Sequence, residues 1–295
     1  MSTASTFRFA PTPNGALHLG HVYSALMNAR FAAAVGGRFL LRIEDLDRTR
    51  CKPEFESTIR DDLAWLGLVF FDAPRRQSEH SQDYGRALDA LRGRGLAYPC
   101  FCSRGEVAAS ASASERDPDG APLYPGTCRS LAKTEVAARL AANEPAAWRL
   151  DSRRARAAVR AELTWLELGE GETETRRIAD PAAWGDFVLR GRDAAASYHL
   201  AVVVDDALQE ISDVVRGRDL LSATSAHRLL QTLLGLPAPR YRHHRLVLDA
   251  NGDKMSKSAA STPLRALRAQ GATAEELRVA LGFATGAPRF AVRLS

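Results

Sequence analysis

Apolar and polar positions alternate along this chain in blocks that predict an α/β fold. Phe7 to Ala10 reads as a short strand. It ends at Pro11-Thr12-Pro13-Asn14-Gly15, where two prolines and an Asn-Gly pair cannot continue a strand interior. From Leu19 to Val35 a helical period takes over, rich in good helix formers (Ala25, Leu26, Met27, Ala29), with Gly36-Gly37 as its stop. Phe39 to Ile43 is a second, mostly apolar strand, which completes one βαβ unit. A further helix follows Pro53 through Ile59 and Leu63 to Leu66, and another is predicted from Gln82 to Gly93.

The texture changes at Tyr98. Residues 98–130 hold three cysteines, four prolines and a low-complexity Ala/Ser run, Ala108 to Ser114, expected to be mobile. Residues 131–180 are rich in Arg, Glu and Ala and mix helix with strand. Order returns at Trp184. Phe187 to Gly191 and His199 to Val204 read as buried strands, Asp219 to Leu234 as an amphipathic helix stopped by Gly235, and Arg245 to Leu248 as a last strand before a short helical tail. No internal repeat is present. The reading is a split, Rossmann-like parallel sheet: 1–97 and 181–250 form its halves, 98–180 is inserted between them, and 251–295 is a loop and tail. In open α/β sheets ligands bind beyond the strand carboxyl ends, where strand order reverses. The Pro11–His21 turn and a loop around Lys254 are both expected there.

With 295 residues, 45% hydrophobic and 25% charged, the chain suits a globular enzyme. No apolar run approaches the ~20 residues a membrane span needs. The N-terminus lacks signal-peptide features, so the reading is cytoplasmic, without a membrane partner. A net charge of +5 and a pI near 9.2 suit a polyanionic partner, or simply a basic surface. Lysine usage is more telling. Of 40 basic residues only Lys52, Lys133, Lys254 and Lys257 are lysine, and two of these fall in Lys254-Met255-Ser256-Lys257-Ser258. Lysine is a compact, mobile point charge and arginine a rigid fork, so this loop calls for the point charge.

That loop and His18-Leu19-Gly20-His21 resemble the KMSKS and HIGH motifs of class I aminoacyl-tRNA synthetases, which form the ATP site for adenylate chemistry. In such chemistry a carboxylate attacks the α-phosphate and pyrophosphate leaves, so the protein positions reactants and stabilises phosphate charge. His18 and His21 open a helix, where free backbone N–H groups favour phosphate, and their i, i+3 spacing puts both rings on one face. Gly20 between them permits close approach of the nucleotide. Lys254 and Lys257 can cover the β- and γ-phosphates, with Gly252 giving the loop freedom to close. The resemblance makes His18, His21, Lys254 and Lys257 catalytic. It assigns His18, Gly20, His21 and Lys257 to ATP, with Mg2+ alongside. No GxxxxGK[ST] loop occurs.

Three further segments resemble the glutamate-site elements of glutamyl-tRNA synthetases: Arg8 to Gly15, Leu41 to Asp47, and Ser197-Tyr198-His199-Leu200 with Asp213 to Gly217. The match covers most of residues 7–258 and departs at Leu46, where the family often has Thr. It implies L-glutamate as substrate and a pocket from Arg8, Phe9, Ala10, Pro11, Thr12, Glu44, Tyr198 and Arg216. The physics agrees: a buried glutamate has two carboxylates and an ammonium, each needing an opposite charge or full hydrogen bonding. Arg8 and Arg216 suit the side-chain carboxylate, Tyr198 adds a hydroxyl, and Glu44 with Thr12 suits the ammonium.

Cys100, Cys102 and Cys128 cluster in sequence and point to a metal in a reducing compartment, with Cys51 left free. Zinc wants four ligands, so the fourth is Tyr124, a carboxylate such as Glu106 or Asp119, or water. Related short glutamyl-synthetase-like proteins use a Cys-x-Cys, Tyr and Cys set, which maps to Cys100, Cys102, Tyr124 and Cys128 and implies one structural Zn2+. After Ser258 only 37 residues remain, leaving no room for a large anticodon-binding region. The chain therefore resembles the truncated paralogues, the glutamyl-queuosine tRNA(Asp) synthetases. The resemblance implies glutamate transfer to queuosine in the tRNA(Asp) anticodon stem-loop, by a monomer. Arg153, Arg154, Arg156 and Arg160, or Arg240, Arg242 and Arg245, are then candidate phosphate contacts. The alternatives are a minimal synthetase charging tRNA(Glu), an adenylating enzyme with a non-RNA acceptor, and an inactive binding module.

Overall fold

The computed structural model describes residues 4–112, 114–169, 173–248, 262–286 and 292–295. Strand β1 (Thr6–Phe9) leads into the proline turn, helix α1 (Leu19–Ala34) returns, and β2 (Arg38–Ile43) pairs parallel with β1, Arg8 opposite Leu40. The return is tight. A Cβ on Gly37 would meet the Ser5 carbonyl oxygen at 2.5 Å, and Gly36 takes φ +60°. Helix α2 (Pro53–Trp65) starts with Pro at its first turn and acidic Glu54 and Glu56 beside it, as a helix N-terminus favours. β3 (Arg75–Arg76) joins β2 in parallel, and α3 (Ser81–Gly93) follows.

Next come β4 (Ala97–Cys100), α4 (Arg104–Ser110), α5 (Lys133–Ala141), β5 (Ala147–Leu150), α6 (Ser152–Ala158), β6 (Thr164–Leu168), β7 (Glu174–Ile178) and β8 (Val188–Arg190). Beyond them lie α7 (Tyr198–Leu208), β9 (Asp213–Gly217), α8 (Ala223–Leu234) and β10 (Arg240–His244). β10 is parallel to β9 on one side and to β6 on the other, and β7 closes that edge antiparallel to β6. The two parallel ladders meet at β1 and β9. There Ser212 N donates to the Thr6 carbonyl at 3.1 Å, and Thr6 N donates to Ser212 Oγ at 2.8 Å. Strand order thus reverses between β1 and β9, the position where such sheets bind ligands. β4, β5 and β8 form a separate antiparallel sheet.

Several expectations change. His199 to Val204, read as a strand, lies inside helix α7, and Leu200 to Asp206 are all buried. A short run of valines looks alike on a buried strand and a buried helix. Here Ser197 Oγ accepts from Leu200 N and caps the helix start. Val188–Arg190 is a strand, but it belongs to the antiparallel sheet with β4 and β5, while β6, from the segment expected to be inserted, joins β10. Ala108–Ser110 end helix α4, which is held by a Ser103–Glu106 capping box. β10 was not expected, because Arg240-Tyr241-Arg242-His243-His244 is too polar to read as a strand. The helix expected from Asp219 begins at Ala223, and the last strand shrinks to β11 (Val247–Leu248), antiparallel to β12 (Arg293–Leu294). Gly235 ends α8 at φ +66° as anticipated.

The tail helices α9 (Leu264–Ala269) and α10 (Ala274–Ala280) pack Leu264, Leu267 and Leu277 into the same core as Phe7, Leu26, Leu41 and Leu63. Leu264 N also donates to the Leu17 carbonyl at 2.7 Å, which anchors the tail one residue before His18.

Candidate functional site

Arg8 on β1 and Arg216 on β9 come from neighbouring strands at the reversal point, and both are buried at 5% exposure. Burial of two guanidinium groups demands compensation, and the two receive it differently. Arg8 Nε bonds Asp206 Oδ1 at 3.0 Å. Among the described residues Arg216 meets only neutral acceptors. Its Nε donates to His243 Nε2 at 3.1 Å. Nη1 donates to Tyr198 Oη and His227 Nδ1, both at 3.3 Å, and Nη2 to Leu220 O at 3.1 Å and Thr224 Oγ1 at 2.7 Å. Tyr198 leads α7 with its ring partly open to solvent, and burial of its hydroxyl pushes that group up to about 12.

Glu44 follows β2 and is 12% exposed at its side chain. Its backbone N donates to the Pro11 carbonyl at 3.1 Å, so the proline turn and the acidic residue are tied together. Burial raises its carboxyl to about 7, against the opposing pull of Arg42 and Arg8. Ala10 and Thr12 are half-buried in the same turn, whereas Phe9 packs its ring into the core.

Sequence reasoning missed the layer beneath. Arg42 is fully buried. It donates from Nη2 to Asp206 Oδ1 at 2.5 Å and from Nε to Gln209 Oε1 at 2.8 Å. Its Nη1 has no hydrogen-bond partner among the described residues and lies 4.0 Å from Glu44 Oε1. Burial disfavours the Asp206 carboxylate, but Arg8 and Arg42 outweigh it and hold the group below its ordinary value. Asp205 takes bonds from Arg75 Nε at 2.7 Å, Gln77 Nε2 at 2.8 Å and the Tyr84 hydroxyl at 3.0 Å. One signal existed: Arg42 interrupts an apolar strand, and Asp205-Asp206 end an apolar run.

His18 and His21 sit together at the start of α1, their ring centroids 3.8 Å apart. Amides expected to be free at this helix start are engaged by the imidazoles themselves. His18 Nδ1 accepts from Gly20 N at 3.1 Å, and His21 Nδ1 accepts from His18 N at 3.2 Å. The helix start is capped by its own imidazoles. With Nδ1 accepting, each neutral ring carries its proton on Nε2, a donor suited to phosphate. A Cβ on Gly20 would come within 3.0 Å of the His18 ring, so glycine also makes room for the cap. Gly252, Lys254 and Lys257 lie outside the described residues.

The sulfurs of Cys100, Cys102 and Cys128 lie within 4.8 Å of one another. Cys102 and Cys128 are 3.5 Å apart, and Tyr124 Oη lies 3.6 Å from Cys102 and accepts from Cys128 N at 2.8 Å. Four ligands at the roughly 2.3 Å of a zinc–thiolate bond stand about 3.8 Å apart in a tetrahedron, so the donor set fits the ion. Among the other candidates, Glu106 is used in its capping box and Asp119 is exposed. Arg153, Arg154, Arg156 and Arg160 are exposed on or beside α6. Arg240 pairs with Asp213 at 2.7 Å, and Arg242 donates to Gly169 O at 2.6 Å over the Phe31 ring.

A parallel sheet with a histidine-capped helix beyond its first strand, and an antiparallel unit between its halves, defines a class I tRNA synthetase catalytic domain. The family model "tRNA synthetases class I (E and Q), catalytic domain" matches residues 5–283, and the chain belongs to that family. Among curated relatives, the glutamyl-Q tRNA(Asp) synthetase of Rhodobacter capsulatus is 42% identical over 289 residues, covering 93% of this chain and 99% of that protein. The one from Leptothrix cholodnii is 43% identical over 272 residues, covering 90% and 85%. Among solved structures, glutamate-tRNA synthetase from Elizabethkingia anophelis superposes with a TM-score of 0.76 at 27% identity. That comparison covers 95% of this chain and 61% of the longer one. In the described residues no helix is long and apolar enough to cross a membrane.

Proposed function

We propose that this chain activates L-glutamate with ATP and transfers it to the queuosine base at the wobble position of tRNA(Asp). The observation that carries the reading is the set of opposite charges gathered at the strand reversal. Arg8 and Arg216 stand at neighbouring strand ends, Glu44 follows the next strand, and the His18–His21 pair begins the helix beyond them. Similarity to glutamyl-Q tRNA(Asp) synthetases, over 99% of the Rhodobacter capsulatus protein and 85% of the Leptothrix cholodnii one, supports the choice of substrate and acceptor.

In this reading Arg216 and Arg8 take the side-chain carboxylate, with Tyr198 beside Arg216. Glu44 and Thr12 take the ammonium, and the backbone from Phe9 to Pro11 walls the pocket. The glutamate α-carboxylate attacks the α-phosphate of ATP, the bond to the β-phosphate breaks, and pyrophosphate leaves. His18 and His21 donate from Nε2 to the phosphates, Gly20 admits the nucleotide, and Lys254 and Lys257 neutralise the leaving charge. Mg2+ would supply further charge neutralisation on the phosphates. A queuosine hydroxyl then attacks the acyl carbon and AMP leaves. Cys100, Cys102, Cys128 and Tyr124 would hold one Zn2+, which braces the segment between β4 and α5. The exposed arginines of α6 meet anticodon stem-loop phosphates more readily than Arg240 and Arg242, which are engaged internally. The protein works as a monomer in the cytoplasm.

The test is transfer of labelled glutamate to tRNA(Asp) with and without queuosine, beside tRNA(Glu), followed by mapping of the label. Label on the wobble base only with queuosine is expected. Label on the terminal adenosine of tRNA(Glu) would make this a minimal synthetase instead. Pyrophosphate exchange with no RNA labelled would point to another acceptor.

A further inference from the structure

Arg216 has five N–H donors, and the structure gives every one of them an uncharged acceptor. Among the described residues no carboxylate forms an ion pair with it, in contrast to Arg8, which shares Asp206 with Arg42. Two of the five acceptors are imidazole nitrogens, and they are different nitrogens. His227 turns Nδ1 to Arg216, so its proton sits on Nε2, 3.2 Å from His199 Nδ1. His243 turns Nε2 to Arg216, so its proton sits on Nδ1, which donates to Glu167 at 2.9 Å. Thr224 Oγ1 bridges the two sides, 2.7 Å from Arg216 Nη2 and 3.2 Å from His243 Nε2. His227 is 2% exposed, and the His243 side chain is 3% exposed.

We propose that His227 and His243 are positioning residues for glutamate recognition, holding the Arg216 guanidinium by neutral acceptors of opposite tautomer so that its full charge stays available to the substrate's side-chain carboxylate. A carboxylate in either place would fix the arginine equally well but would compensate its charge, as Asp206 does in part for Arg8 and Arg42 together. A donor would leave a buried N–H pointing at a buried cation. A neutral imidazole acceptor avoids both. Its second nitrogen must then be satisfied elsewhere, and His199 and Glu167 do this. The inference rests on Arg216 as the carboxylate ligand.

The opposite tautomers make a sharp test. Asparagine carries its amide oxygen where histidine carries Nδ1, and glutamine reaches the position of Nε2. His227→Asn and His243→Gln therefore keep an acceptor on Arg216, whereas His227→Gln and His243→Asn lose it. The readouts are the Kd of L-glutamate by calorimetry, KM for glutamate and for ATP in pyrophosphate exchange, and thermal melting. The first pair is expected within about threefold of the parent. The second pair is expected to weaken glutamate binding at least about tenfold with KM for ATP unmoved, since a lost hydrogen bond to a charged group is worth roughly 1.5–3 kcal/mol. Equal effects of both amides at each position, with Arg216→Lys still weakening glutamate, would mean packing alone and overturn the inference. An Arg216→Lys variant that binds glutamate normally would overturn the ligand assignment itself. 15N NMR of the unsubstituted protein gives an independent check. An Nε2–H tautomer at His227 and an Nδ1–H tautomer at His243 are expected, and the reverse at either refutes the arrangement.

Discussion

On the proposed reading, with Glu44 holding the ammonium, glutamate binding is linked to protons. The Glu44 carboxyl titrates near 7 because burial disfavours the ion, and only partial compensation comes from Arg42 and Arg8. An ammonium in contact needs the ionised form. With a value of about 7, roughly a tenth of the protein is ionised at Glu44 at pH 6 and about nine-tenths at pH 8, so the apparent Kd for glutamate falls about tenfold across that interval. Binding should release about 0.9 proton at pH 6, about 0.5 at pH 7 and about 0.1 at pH 8. Calorimetry at these pH values, in buffers of different ionisation enthalpy, measures both quantities. Glu44→Gln should bind glutamate weakly at every pH and release no proton. The same group makes a stability prediction of definite sign. Between its ordinary value of 4.5 and about 7, the folded protein keeps a proton that the unfolded chain has given up. Raising pH through that window therefore destabilises the free protein, by at most about 3 kcal/mol. Glu44→Gln should accordingly melt higher than the parent at pH 8. A Kd flat from pH 6 to 8, or an unchanged slope in Glu44→Gln, would refute the reasoning.

Three further outcomes follow from the geometry. Burial and Arg216 hold His199 down to about 4, so the unfolded chain protonates first as pH falls from about 6.5; stability should drop by about 2 kcal/mol between pH 7 and 5, and urea melts of His199→Gln should lack much of that drop. Gly20→Ala puts a methyl group 3.0 Å from the His18 ring, and glutamate-dependent pyrophosphate exchange should fall at least about tenfold while the fold is retained; unchanged exchange would exclude the ring cap as a catalytic feature. Cys128→Ala should reduce bound zinc, measured by atomic absorption, from about one per chain to near none, and should lower the melting temperature; full zinc retention would move the site away from this cluster.

Local chemistry was legible where a few adjacent residues carry it. The proline turn, His18 to His21, Glu44 and the cysteine set are short segments whose spacing already implies a turn, a helix start or a ligand group. The structure puts Arg8 and Arg216 on the strands that meet at the reversal point and ties Glu44 to the proline turn through the Pro11 carbonyl. Hidden from the sequence was whatever depends on partners far along the chain. Asp206 lies 198 residues from Arg8, and His227 and His243 meet Arg216 only because α8 and β10 flank β9. Secondary structure failed in the same places. Helix α7 is buried along most of its length and reads like a strand, and β10 is a polar strand whose charges find partners inside the fold.

By itself the sequence determined the βαβ start, the two signature phrases, the charges a glutamate ligand requires and the thiolate set for a metal. All of these are set by chain neighbours and side-chain chemistry. Tertiary structure alone decided which charges remain available. Among the described residues Arg8 has a carboxylate partner and Arg216 has none, Glu44 is shifted to about 7, and the His18 and Gly20 amides are capped by imidazoles. The physical reason is that desolvation and ion pairing depend on what lies within about 4 Å in space, and sequence distance carries no information about that.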